Sequence, residues 1–116
     1  MTNIRNIDGP ELSHRHYEKG REWAVADQQW WWVQEYRKVL LAELTLEYSR
    51  TEGVTKAKEL ARSDKRFRDH LEAMKVALEN RNLAKVEYEE CQYEIKRRLN
   101  KAFIRNREHA AGSLQT

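Results

Sequence analysis

The sequence predicts an all-α protein, a long antiparallel helical hairpin of coiled-coil type that is expected to self-associate. Three observations carry this prediction. Only four Gly and one Pro interrupt 116 residues. Two long segments space their apolar residues three or four apart, which keeps them on one helix face. A short polar break separates those segments, and a short connection makes consecutive helices antiparallel neighbours. The mean hydropathy is −0.99 and 35% of residues are charged, so the chain cannot fill a thick globular core. A thin seam between long helices is what such a composition stabilises.

Residues 1–20 read as an N-terminal arm. Asp8-Gly9-Pro10 is a turn signal, because Pro excludes the preceding residue from the α region; residues 11–19 have the composition of a short helix before Gly20. The hairpin domain is expected over residues 21–109. Its first helix runs over about residues 21–50, with a stripe of Trp23, Ala26, Trp30, Val33, Leu40, Leu44 and Tyr48. Trp31, Tyr36, Val39, Leu41 and Leu46 widen that stripe.

The break follows at residues 51–55. There Gly53 has the character of a residue just past a helix end and Thr55 that of a cap, with a helical connector over residues 55–62. Ser63-Asp64 is a helix-start signal. The second long helix spans about residues 64–108, roughly 65 Å at 1.5 Å per residue. Its stripe is Phe67, Leu71, Met74, Ala77, Leu78, Ala84, Tyr88, Cys91, Ile95, Leu99 and Ala102. Counting outward from the connection sets Leu44 near Leu71 and Trp30 near residues 84–88. Residues 110–116 are expected to be a flexible tail.

Several function classes are disfavoured. No apolar run approaches the roughly 18–20 residues of a membrane span, and the first residues lack the apolar core of a secretory signal. The lone Cys91 fits a reducing, cytoplasmic setting. His14, His16, His70 and His109 are scattered, with no pair at i, i+4 and no Cys–His set at zinc spacing. Cys91 lies in the seam stripe, where a thiol behaves as a small hydrophobe. The expectation is a protein without catalysis, metal, cofactor, small-molecule substrate or membrane contact.

Two features point to binding. Trp30, Trp31 and Trp32 are successive residues about 100° apart on a helix, so no single groove buries all three. Packing in the hairpin or an oligomer accounts for them most simply; the alternative is a stacking platform for bases or an anchor for a protein. The second feature is charge. Glu87, Glu89, Glu90 and Glu94 precede Lys96, Arg97, Arg98, Lys101, Arg105 and Arg107, so residues 95–109 carry six basic side chains against Glu108 alone. Cations near a helix C-terminus complement its dipole and need no ligand. The alternative is phosphate contact, which is independent of base sequence and sensitive to salt.

The run from Ser63-Asp-Lys-Arg-Phe-Arg through Leu71-Glu-Ala-Met-Lys-Val-Ala-Leu to Ala84-Lys-Val-Glu-Tyr-Glu and Glu94-Ile-Lys-Arg-Arg resembles short phage-encoded helical proteins of replication and recombination regions. Over residues 17–108 the plan is similar to the UvsY-type recombination mediators: a helix, a polar break, and a long helix with a late basic stretch. The resemblance implies an oligomeric accessory factor that binds single-stranded DNA and the recombination machinery, in the host bacterial cytoplasm. The three adjacent tryptophans and the short arm depart from that plan. Two further readings stand beside it: an inhibitor or adaptor that binds a host protein, such as a defence component, and a structural coiled-coil assembly element.

Overall fold

The computed structural model describes residues 10–114, with side chains described for residues 10–110. Three helices follow in order: α1 over Pro10–Tyr48, α2 over Val54–Ser63 and α3 over Lys65–Leu114. The all-α helical hairpin is therefore what the chain adopts. No helix among the described residues is long and apolar enough to cross a membrane.

The first helix starts earlier than its spacing predicts, at Pro10 rather than near residue 21. Proline suits the first helical position because the backbone donor it lacks has no partner there, and Glu11 complements the positive end of the helix dipole. The helix then runs straight through Gly20, whose φ is not positive. A Cβ at Gly20 would lie 3.1 Å from Cε2 of Tyr88, so glycine here gives room to an aromatic ring rather than breaking the helix. Residues 1–9 of the expected arm lie outside the described residues. At the other end, helix continues through the expected tail to Leu114, with residues 115–116 likewise outside.

Residues Trp23–Leu83 form one compact unit, and the described residues up to Glu22 together with those from Ala84 onward form a second. Both consist of α1 and α3 running antiparallel, and the first also holds α2.

In the unit of Trp23–Leu83, Leu44, Ala61 and Phe67 make the buried cluster, with Leu40, Leu41 and Tyr48 packed against it. One residue comes from each of the three helices. Ala57 and Ala61 of α2 are wholly buried; four residues apart, they present one small-residue face that lets the short helix approach closely. Gly53 is extended (φ −67°, ψ 161°) and precedes α2 as its N-cap, so it is not the left-handed helix terminator expected of it. Thr55 lies inside α2 instead of capping it. Asp64 does cap α3, its Oδ1 accepting from the Arg66 backbone N–H at 2.8 Å.

The pairing register differs from simple counting. The hydroxyl of Tyr48 donates to Asp64 at 2.6 Å, and Arg66 bridges to Glu47 at 3.1 and 3.2 Å. These contacts align the helices from the turn itself, so Leu44 meets Phe67, and Leu71 is exposed. His70 takes the inward place expected of Leu71: its Nε2 donates to the carbonyl of Val33 at 2.7 Å, and Tyr36 meets its ring edge-on. Further along, Asp27 pairs with Arg81.

In the second unit, Leu12, Ala84 and Cys91 are buried. His16 stacks on Tyr88 with ring centroids 4.8 Å apart, and Lys19 pairs with Glu87 at 3.2 Å. Tyr88 thus meets His16 and Gly20, well before Trp30 in the chain, which overturns the expected match of Trp30 with residues 84–88. Leu99 and Ala102, placed in the seam by spacing, are exposed.

Candidate nucleic-acid interface

The late part of α3 presents its basic residues on two faces. On the side of α1, Leu12 and Ser13 face Ile95, Arg98, Leu99, Lys101, Ala102 and Arg105 across a groove of about 320 Å³. Leu12 is the apolar plug missed by the reading of residues 1–20 as an arm outside the hairpin domain. Because helix begins at Pro10, Leu12 is delivered to the seam, and three cations gather at the groove it helps to line.

On the outward side, Tyr93, Arg97, Asn100, Ile104 and Arg107 recur at intervals of four and three, the spacing of one helix face. Lys96 and Phe103, seven residues apart, run along its flank. Tyr93 is 69% exposed and Phe103 65% exposed. Two aromatic rings therefore stand in solvent among cations, on a helix whose inward face is already occupied by Ala84, Tyr88 and Cys91. Sequence spacing had drawn attention to the cations alone. The aromatic residues between them became legible only once the inward face was known.

The cations are not equivalent. Glu94 accepts from Arg97 at 2.7 Å and from Arg98 at 2.8 Å. These contacts, Arg97 first, hold the Glu94 carboxyl below the usual carboxylate range, and Glu94 in turn raises Arg97. A phosphate must compete with Glu94 for either guanidinium. Among the described residues, Lys96, Lys101, Arg105 and Arg107 make no ion pair. They are the side chains whose charge is uncompensated at short range.

The tryptophans belong to the other unit. Trp30 is half-buried, whereas Trp31 and Trp32 are exposed and meet each other edge-on at 6.2 Å. This agrees with the expectation that three successive tryptophans cannot share one seam. Cys91 is buried and lines a shallow cleft with Arg15, Lys19, Glu87, Glu90 and Glu94. Lys19 is raised above its ordinary value by its hydrogen bond to Glu87, then by Glu22.

Compared with protein-family models, curated proteins and solved structures, the chain matches none.

Proposed function

We propose that this protein is a non-enzymatic accessory factor that binds single-stranded nucleic acid along the outward face of late α3, as expected of a phage replication or recombination protein. One observation carries the reading: exposed Tyr93 and Phe103 stand among Lys96, Arg97 and Arg107 on the outward face of α3 and its flank. Base stacking on aromatic rings together with phosphate contact by basic residues is the usual composition of a single-strand surface, and it tolerates any base sequence. Tyr93 and Phe103 are about 15 Å apart along the helix at 1.5 Å per residue, a span of roughly four stacked nucleotides at ~3.4 Å each. Lys101 and Arg105, at the groove beside Leu12, supply further cations on the adjoining face.

The test is fluorescence anisotropy of a labelled single-stranded oligonucleotide at about 50 and 200 mM salt. Binding weakens steeply between the two conditions. Lys96→Ala/Arg107→Ala flattens the salt dependence by roughly 1.4 in log–log slope, about 0.7 for each cation removed. Tyr93→Ala or Phe103→Ala weakens binding by about 1–3 kcal/mol each, the worth of one stacked base. Absence of binding at the lower salt, or affinity lost with Trp31→Ala and untouched by the Tyr93 and Phe103 variants, overturns the proposal.

A further inference from the structure

α1 carries a second apolar row that its own chain covers only in part: Tyr36 meets the His70 ring and Leu46 lies beside α2. Val25, Trp32, Val39 and Leu46 follow at intervals of seven residues, with Tyr36 one turn beyond Trp32. They are 47%, 60%, 49%, 67% and 42% exposed in the order Val25, Trp32, Val39, Leu46, Tyr36. The buried seam runs along a different side, through Ala26, Val33, Leu40 and Leu44. The sequence pattern merges these two rows into one wide stripe; the structure separates them.

We infer that this row is the surface on which a second copy of the chain docks, α1 against α1 and antiparallel. Ala26, Val33 and Leu40 of the buried seam keep the same seven-residue spacing one residue away, so packing of α1 on α3 holds this row in line beside the seam. The four residues at seven-residue spacing are uncharged, while Glu43 stands one turn beyond Val39 as Tyr36 does beyond Trp32. Its flanks are Gln28, Gln29, Ala42, Glu43 and Glu35, the last held by Lys38 at 3.8 Å, and at its far end Leu46 shares a cleft with Val54, Lys58 and Arg62 of α2.

The row is also complementary to its own reverse. Turned about a two-fold axis between Glu35 and Tyr36, Trp32 of each copy faces Val39 of the other and Val25 faces Leu46. Large then meets small at the two central levels, as an isologous contact between copies requires. The five side chains leave roughly 500 Å² in water per copy, which gives about 1,000 Å² for the pair, the lower bound of a specific interface. Trp31, exposed beside the row, adds to that area. The dimer is accordingly reversible and depends on concentration.

Sedimentation equilibrium of the full chain over a wide concentration range tests this. The expected mass is twice 13.9 kDa at high concentration, falling toward one chain on dilution. Trp32→Glu weakens the dimer about 30-fold or more, as loss of a hot-spot anchor does, while circular dichroism shows the helix content unchanged. Leu46→Arg repeats the test should Trp32→Glu fail to fold, and Val76→Arg, on the exposed side of α3, leaves the mass as it was. In a Cys91→Ala background, Val25→Cys/Leu46→Cys cross-links two chains on oxidation and Val39→Cys alone does not. A mass of one chain at every concentration, a dimer that survives both Trp32→Glu and Leu46→Arg, equal dissociation by Val76→Arg, or cross-linking through Val39→Cys alone overturns the inference.

Discussion

Leu44→Ala is the substitution whose cost the structure defines best. Leu44 is 2% exposed and is the largest fully buried side chain described. The change removes three carbons, worth about 0.8 kcal/mol each on transfer from water, or roughly 2.4 kcal/mol. A cavity cost adds to this, because the void cannot close easily. Ala61 on α2 is too short to reach in, and Phe67 and Tyr48 are fixed by the helices and by the Tyr48–Asp64 hydrogen bond. The sum is about 3–4 kcal/mol, inside the range measured for buried leucines.

Urea denaturation followed by circular dichroism reads this directly. At a slope of roughly 1.5 kcal/mol per molar, the midpoint falls by about 2 M. Leu83→Ala is the matched control: the same three carbons leave a side chain that is 60% exposed in the same unit, and the loss stays under about 1 kcal/mol. A Leu44→Ala midpoint no lower than that of Leu83→Ala would refute the placement of the core at the junction of the three helices.

Two further outcomes follow from single contacts. Arg66 and then Tyr48 hold the Asp64 carboxyl well below the ordinary carboxylate value. Its folded pKa lies below its unfolded one, so the stabilisation is complete above the ordinary value near 3.8 and fades as pH falls below it. Asp64→Asn is therefore less stable than wild type at neutral pH, and the gap between their urea midpoints narrows below about pH 4; a gap that stays constant through that range contradicts the assignment. Gly20→Leu forces the Tyr88 ring off the helix backbone and off His16, at about 1–3 kcal/mol for overpacking. Amide exchange in residues 12–22 rises selectively, and unchanged protection there would mean that Tyr88 moves aside freely.

Much of the fold is legible in the spacing of apolar residues. Ala26, Leu44, Phe67, Ala84 and Cys91 were all placed in the seam by periodicity and are all buried. Periodicity tells faces apart but not where a face ends. Gly20 carries a strong local preference against helix, and only Tyr88, far away in sequence, explains why the helix passes through it. Leu71 and His70 are adjacent, and hydrophobicity favours Leu71 for the inward place. The Val33 carbonyl decides for His70, since a ring N–H finds a partner there that leucine would not need. For the interface, the charge run was visible at once, whereas Glu94 neutralising Arg97 and Arg98 at i, i+3 and i, i+4 required side-chain geometry. The second row of α1 was hidden because two heptad patterns offset by a residue read as one broad stripe.

The sequence separations of the contacts bear on how the chain folds. Tyr48 and Asp64 are 16 residues apart, whereas Lys19 and Glu87 are 68 apart. From the unfolded chain, closing the longer loop costs about 1.3 kcal/mol more in entropy. Once the three-helix junction has formed, α1 and α3 are already joined through it, so the chain left free between Lys19 and Glu87 is shorter than the full loop. These separations lead us to expect that the junction around Asp64 forms before the contacts of Lys19 with Glu87. Pulse-labelled amide exchange should protect residues 40–48 and 65–70 before residues 12–20; the reverse order overturns this expectation. The small side chains of Ala57 and Ala61, which draw α2 close, then belong to the part of the chain expected to order first.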